Sequence, residues 1–154
     1  MSLDLKQELK IKAFESIEQE TLIALLRTTD MLMAEINGLL KERQLSSPLY
    51  NVLRILRGAG AEGLACGEIA ARLVQRDPDV TRLVDRLEER GYVTRERQRA
   101  DRRVIRIVIA TRGLDLLKGL DQPIADLHKR QLGGVGKKRL RELNELLATI
   151  RSRS

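Results

Sequence analysis

The residues best suited to chemistry lie between Pro78 and Thr111, where a short amphipathic pattern is followed by a run of arginines. In the first half, apolar side chains recur at i, i+3, i+4 and i+7, which predicts a helix with one buried stripe. The stripe is Val80, Leu83, Val84 and Leu87, and the outward side chains are Thr81, Arg82, Asp85, Arg86 and Glu89. The second half, from Arg90 to Arg106, holds seven arginines and two carboxylates, a formal charge of +5. A polar helix face beside a cationic segment is typical of a surface that binds duplex DNA.

The outward face of this helix predicts contacts with base edges. In a helix-turn-helix motif the second helix enters the major groove, and its first turns approach the bases. The candidate residues are Pro78, Asp79, Thr81, Arg82 and Arg86. Arginine suits guanine because its fork of donors matches the acceptors O6 and N7. Of the two arginines, we expect Arg82 rather than Arg86 to make this contact. The alternative is that both arginines form ion pairs with Asp79, Asp85 or Glu89, each worth about 0.2 to 0.5 kcal/mol.

The arginine-rich segment predicts a β-hairpin with a basic tip. β-Branched residues and arginines share residues 92–97 and 103–109, which favours two strands joined by a turn near 98–102. The preceding segment, residues 77–90, has five carboxylates and three arginines. Nonspecific attraction to DNA must therefore come from the hairpin.

Four hairpin residues are candidates for contact with the DNA backbone and the minor groove. We expect Arg97 to strengthen binding to any duplex, and Arg102 or Arg103 to enter the minor groove beside the helix. Asp101 is expected to orient that arginine through a charge-assisted hydrogen bond. The alternative is that Asp101 serves only to form the turn, with its arginine neighbours solvated.

Apolar periodicity predicts further helices before this segment. The pattern over about residues 5–40 predicts one long helix or two abutting helices. Ser47 and Pro48 predict the N-cap and the first residue of the next helix, which ends at Gly58 or Gly60.

A third short helix is predicted at about residues 67–75, followed by the helix described above. Asp77 is expected to cap that fourth helix, Pro78 to begin it, and Gly91 to end it in a left-handed conformation. Beyond Thr111 two more helices are predicted on either side of three glycines, and Pro123 is a candidate kink in the first of them.

These patterns predict a mainly α-helical fold with a small β-hairpin wing, that is, an α+β winged helix-turn-helix with a helical dimerisation domain. Residues 46–111 form the expected DNA-binding domain, and residues 1–45 and 112–154 the expected dimerisation region. The terminal helices are more apolar than isolated amphipathic helices need to be, which favours dimerisation. The alternative is that both ends pack only on the central block.

Composition narrows the classes of function. The chain has 154 residues, with 29 lysines and arginines against 22 acidic residues, which favours a polyanionic partner. One cysteine and one histidine exclude an internal disulfide and a zinc site of Cys/His type. No apolar run approaches the roughly 18 residues of a membrane helix, so we expect no membrane partner and a cytoplasmic location. The sequence has neither a nucleotide-binding glycine motif nor a plausible catalytic triad, so we expect no cofactor and no enzymatic activity.

Three stretches carry a resemblance to a known family. They are VTRLVDRLEERGYV at 80–93, the DRR triplet at 101–103 and the strand that runs into ATRG at 110–113. With these residues the sequence resembles the MarR family of winged helix-turn-helix transcription regulators. The resemblance implies a homodimer that binds palindromic operator DNA, with both chain ends in the dimer region.

The resemblance also implies roles for individual residues and for a ligand. Thr81 and Arg82, with their neighbours, correspond to the part of the family's motif that lies in the major groove. Asp101 and Arg103 correspond to its Asp-x-Arg triplet, whose arginine lies in the minor groove. Many members are repressors that release DNA when a small, often phenolic or anionic, ligand binds between the dimer and DNA-binding regions, so a small-molecule effector is expected here.

Two other functions stay open at this point. A helical adaptor would use its apolar ends for protein partners and its basic hairpin for polyanions in general. A redox-sensing regulator would use Cys66, since a thiol at the start of a helix can have a lowered pKa. A free cysteine there is more often a small packed side chain.

Overall fold

The computed structural model describes residues 4–152, which form seven α-helices and one antiparallel β-hairpin. The elements are α1 (Leu5–Leu9), α2 (Ile17–Lys41), α3 (Ser47–Ala59), α4 (Cys66–Arg72), α5 (Val80–Glu89), β1 (Val93–Arg97), β2 (Ile105–Ile109), α6 (Thr111–Leu132) and α7 (Lys137–Arg151). The predicted fold class is confirmed. The amino-terminal pattern forms two helices, but residues 10–16 separate them, so they do not abut as predicted. Helix α6 continues through Pro123.

Helix α3 begins one residue earlier than predicted. Ser46 is the N-cap, and its Oγ accepts a hydrogen bond from the Leu49 amide at 3.5 Å. Ser47 is therefore the first helical residue and Pro48 the second, where a missing amide hydrogen is still tolerated. The helix ends at Ala59 with Gly60 as its C-cap, which is one of the two predicted ends.

Helix α4 is shorter than the predicted 67–75. It ends at Arg72, and Leu73 has an extended backbone. The amide of Val74 donates a hydrogen bond to Asn51 Oδ1 on α3 at 2.8 Å. This side-chain acceptor replaces the carbonyl that a continued helix would have offered, so the chain leaves α4 early.

The start predicted for α5 is wrong by two residues. The Asp77 carboxylate accepts a hydrogen bond from the Asp79 amide at 2.8 Å, which forms a turn around Pro78 instead of a helix cap. Asp79 is the N-cap, and its Oδ1 accepts from the Arg82 amide at 3.1 Å. The predicted end is confirmed, because Gly91 has a φ of +73° directly after the helix.

The hairpin is shorter than the predicted strands at both tip and base. Its register runs from Val93 opposite Ile109 to Arg97 opposite Ile105. Residues 98–104 form the tip, where the Gln98 amide donates to the Val104 carbonyl at 3.1 Å. Ile105 lies toward the tip and is exposed, whereas Ile107 is buried.

A single apolar core holds the hairpin and α5 against α3. Leu53 and Leu56 of α3, Leu87 of α5 and Ile107 of β2 belong to one buried cluster. Leu64 anchors the hairpin from the other side, through hydrogen bonds with Ile107 of 2.8 and 3.0 Å. The cluster continues into α6, so the position of α5 is set by packing from several directions.

An ion pair also joins α3 to α6. Both terminal nitrogens of Arg57 donate to the Asp121 carboxylate at 2.9 Å. These hydrogen bonds hold the pKa of Asp121 below its ordinary value of 3.8 and raise the pKa of Arg57. The stabilisation from this pair is therefore present above about pH 3.8 and is lost as the pH falls through the lowered pKa.

The base of the hairpin requires a glycine at position 63. Gly63 has a φ of +61°, and a Cβ there would lie 2.3 Å from the Ile107 carbonyl oxygen. We expect Gly63→Ala to lower the free energy of unfolding by about 1 to 3 kcal/mol, because backbone strain and the clash act together. Urea denaturation with circular dichroism measures this.

Gly58→Ala is the matched control. Gly58 lies in α3, and a Cβ there meets nothing within 4 Å. Its free energy of unfolding should stay equal or rise by about 0.5 to 1 kcal/mol, since alanine favours the helix. Equal stability of Gly63→Ala and the wild type would contradict the assigned constraint.

Candidate nucleic-acid interface

The outward face of α5 presents two arginines to solvent. Arg82 and Arg86 are both exposed, and within residues 4–152 neither guanidinium has an ion pair or hydrogen bond. The alternative interpretation, in which both arginines form ion pairs with acidic residues of the same helix, is therefore wrong. Two of the three carboxylates have other partners, since Asp79 caps the helix and Asp85 pairs with Arg95.

The other candidate residues on this side sit at the beginning of α5. Pro78 and Asp79 are exposed in the turn and at the cap, and Thr81 is exposed in the first turn. Unpaired amides at a helix N-terminus carry partial positive charge, which favours nearby phosphates. Asp79 is already engaged by the Arg82 amide, so its main contribution is to fix where the helix begins.

The tip of the hairpin contains the predicted ion pair. Asp101 Oδ1 accepts hydrogen bonds from the backbone amide of Arg103 at 3.0 Å and from its Nε at 3.2 Å. The side chain of Arg103 is 92% exposed. The carboxylate thus binds the inner edge of the guanidinium and leaves the terminal nitrogens of Arg103 facing solvent.

Three more arginines complete the tip. Arg97 donates through Nη1 to the Arg102 carbonyl at 3.1 Å, which ties the end of β1 to the turn. Arg102 and Arg99 are exposed. Residues 97–104 therefore carry four arginines and one aspartate, and this is where the hairpin's accessible positive charge is concentrated.

The other three arginines of residues 90–106 bind other elements of the fold. The count of charges in the sequence did not show this. Arg90 donates to the carbonyls of Gln44 at 2.6 Å and Arg43 at 3.2 Å, after the end of α2. Arg106 of β2 pairs with Glu68 of α4 at 2.8 Å. Glu68 also accepts from the Ala65 amide, and this bond, together with Arg106, lowers the pKa of Glu68.

Arg95 of β1 is the third of these arginines. Its Nη1 donates to Glu88 Oε1 at 2.6 Å, and its Nη2 donates to Asp85 Oδ1. The hydrogen bond with Asp85, and then that with Glu88, raises the pKa of Arg95 against the opposing effect of burial. Arg95 thereby ties the hairpin to α5, so the exposed arginines of α5 and those of the hairpin tip belong to one packed unit.

The helices outside the hairpin enclose an apolar groove. It has a volume of about 430 Å³ and is bounded by α2, α3, α6 and the residues after α4. Met33, Tyr50 and Ile124 supply much of its wall, Val74 and Gln75 form one rim, and His128 is its one imidazole. No aspartate or glutamate lines it, so it suits apolar molecules that are neutral or anionic.

Two helices carry apolar side chains that face solvent in the single chain. On α2 these are Ile17, Leu22, Leu26 and Met31, each 56% to 67% exposed. On α7 they are Leu143, Leu146 and Ile150. Clustered exposure of large apolar side chains marks a surface for association.

Cys66 is the first residue of α4 and is half-buried against the main core. Among residues 4–152 there is no group of three or more His, Cys, Asp or Glu side chains placed to hold a metal ion. No helix in the same range is long and apolar enough to cross a membrane.

Comparison with known proteins places the chain in a family. A model described as MarR family matches residues 44–104, which run from just before α3 to the tip of the hairpin. Curated relatives are 27% to 39% identical and are helix-turn-helix transcriptional regulators. One is the repressor IacR of Pseudomonas putida, 27% identical over 73% of this chain and 66% of IacR. The chain spans from 46% to 77% of the lengths of these relatives.

Solved structures cover nearly the whole chain. A MarR transcription factor from Planctomyces limnophilus is 41% identical, with a TM-score of 0.68 over 89% of this chain and 99% of that one. CouR from Rhodococcus jostii, solved with p-coumaroyl-CoA, is 27% identical, with a TM-score of 0.76 over 92% and 98%. The chain therefore belongs to the MarR family of winged helix-turn-helix proteins, which are DNA-binding transcription regulators and not enzymes.

Proposed function

We propose that this regulator binds palindromic duplex DNA as a homodimer and acts as a repressor that a small molecule releases. The observation that carries the DNA-binding mode is the pair of unpaired, exposed arginines on α5, Arg82 and Arg86, in one packed unit with the arginine-rich hairpin tip. In this mode α5 enters the major groove, with Pro78, Asp79 and Thr81 near the first bases.

The hairpin tip supplies the second contact. Arg103 is favoured over Arg102 for the minor groove, because Asp101 holds the Arg103 side chain while its terminal nitrogens stay free. A narrow minor groove concentrates negative potential and attracts such an arginine. Arg97 and Arg102 lie beside it and are suited to phosphates.

Replacing Arg82 tests base recognition. Arg82→Ala should reduce the preference for a selected duplex over a scrambled one by about 1 to 3 kcal/mol, because a bidentate contact with guanine is lost. Arg97→Ala should weaken both duplexes alike and flatten the salt slope by about one unit. A salt-titrated mobility shift, with the specific duplex selected from a random pool, measures both.

The control variant is Arg139→Ala, which lies on α7 and outside the proposed DNA-binding surface. It should leave the preference between the two duplexes unchanged. Equal weakening of both duplexes by Arg82→Ala would show that Arg82 does not recognise bases. Equal affinity of the wild type for every duplex would favour the general polyanion-binding adaptor.

The homodimer is supported by the large apolar side chains of α2 and α7 that the single chain leaves exposed. We expect sedimentation to give a dimer at micromolar concentration and Leu146→Glu to give a monomer, since the substitution buries a charge in the interface. Ile105→Ser is the control, because it removes an exposed apolar side chain from the hairpin instead.

Selected duplexes should contain an inverted repeat with half-sites centred about 34 to 36 Å apart, one helical turn. A wild type that sediments as a monomer would contradict the dimer. A consensus without two-fold symmetry would contradict the palindromic operator.

The repressor and effector proposals rest on the relatives and on the groove. IacR is named as a repressor, and CouR was solved with p-coumaroyl-CoA. The groove's volume of about 430 Å³ lies within the range of small-molecule sites. Val74 and Gln75 form its rim and belong to the connection between α4 and α5, so an occupant would touch the segment that leads into the DNA-binding helix.

Val74 gives a direct test because it is 86% exposed and lines the groove. We expect an aromatic acid or its CoA thioester, beginning with p-coumaroyl-CoA, to lower affinity for the selected duplex. Val74→Asp should reduce the compound's affinity at least about tenfold, since its carboxylate repels an anion, whereas Val74→Leu should retain it. A compound that releases wild type and Val74→Asp equally well would place the effector site elsewhere.

A further inference from the structure

We propose that Arg95 is a positioning residue for DNA binding: it holds the carboxylates of Asp85 and Glu88 on α5 away from the phosphates. This inference rests on the proposed DNA-binding mode and assigns a role to a residue that does not itself face the groove. One guanidinium contacts two carboxylates, Glu88 Oε1 at 2.6 Å through Nη1 and Asp85 Oδ1 through Nη2. Such a fork is stronger and more directional than a contact with a single amine.

The charge of α5 explains why such a residue is needed. Asp85, Glu88 and Glu89 are all exposed on the helix that would enter the groove, against the free arginines Arg82 and Arg86. Arg90 does not offset them, because its guanidinium is bound to backbone carbonyls after α2. Without a further cation this helix would bring an excess of negative charge to the phosphates.

The position of Arg95 favours neutralisation over a direct DNA contact. It lies opposite Ile107, toward the base of the hairpin, whereas Arg97 lies opposite Ile105 at its outer end. Its side chain is only 26% exposed, and both terminal nitrogens are already engaged. The side chain of Arg103, by contrast, is almost fully exposed.

A double-mutant cycle in a mobility shift tests this role. The variants are Arg95→Gln, the pair Asp85→Asn with Glu88→Gln, and all three substitutions together. Arg95→Gln should weaken binding to selected and scrambled duplexes about tenfold, because two carboxylates are released toward the DNA. The carboxylate pair alone should stay within about threefold of the wild type. The triple variant should return to within about threefold, so the substitutions are not additive.

Several outcomes would overturn the inference. Additive effects, with the triple variant about tenfold weaker than the carboxylate pair and an unchanged melting curve, would indicate that Arg95 contacts phosphate directly. A triple variant that stays equally weak and also melts at a lower temperature than the carboxylate pair would indicate that Arg95 only fastens the hairpin. An Arg95→Gln protein that binds as well as the wild type would also exclude the role.

A lysine variant and the binding of the wild type separate the role of Arg95 from a folding defect and from failure of the proposed function. If Arg95→Gln lowers the melting temperature strongly, Arg95→Lys replaces it in the cycle. Lysine retains the charge without the fork and should weaken binding about threefold, and the triple variant with this substitution should bind as tightly as the carboxylate pair. A wild type that binds no duplex would overturn the proposed function itself, whereas a wild type that binds normally without recovery in the triple variant overturns only the role of Arg95.

Discussion

Burial of the apolar stripe on α5 is the constraint on which the proposed DNA-binding interface depends. Each fully buried aliphatic side chain contributes about 1.5 to 3 kcal/mol, and Val80, Leu83, Val84 and Leu87 are all buried. Because a helix has 3.6 residues per turn, burying this stripe leaves no choice about which side chains face outward. Arg82 and Arg86 are exposed because the opposite face is held in the core.

The arginines of residues 90–106 fall into two groups, one that joins elements of the fold and one that lies exposed at the hairpin tip. Arg90, Arg95 and Arg106 donate hydrogen bonds to carbonyls and carboxylates of other elements. The arginines at the tip keep theirs largely available. This division allows a highly cationic segment to pack against the protein without strong self-repulsion, because the inward guanidinium groups all meet negative or partially negative partners.

The core that fixes α5 also joins it to the helices outside the central block. Leu117 and Leu120 of α6 belong to the same buried cluster as Leu53 and Leu56 of α3. Arg57 and Asp121 add an ion pair between the same two helices. The groove has its walls on these elements and its rim on the residues before α5. In the mechanism proposed for this MarR-family regulator, a ligand therefore acts on elements that already pack against the DNA-binding helix.

Local patterns in the sequence determined the elements and the outward face of α5. The helical period, the left-handed Gly91 and the alternation of residues in the hairpin depend on neighbours within a few positions, so they could be predicted. A bond between Asp101 and one of the two arginines that follow it could be proposed for the same reason, and the structure shows that its partner is Arg103. The start of α5 was not, because the Asp77 side chain competes for the Asp79 amide and forms a turn there. Only the tertiary structure decided which arginines stay free, since Arg106 meets Glu68 and Arg90 meets Gln44 across 38 and 46 residues of chain. Such partners are brought together by the packing of elements that are distant in the chain, so no periodicity in the sequence predicts them.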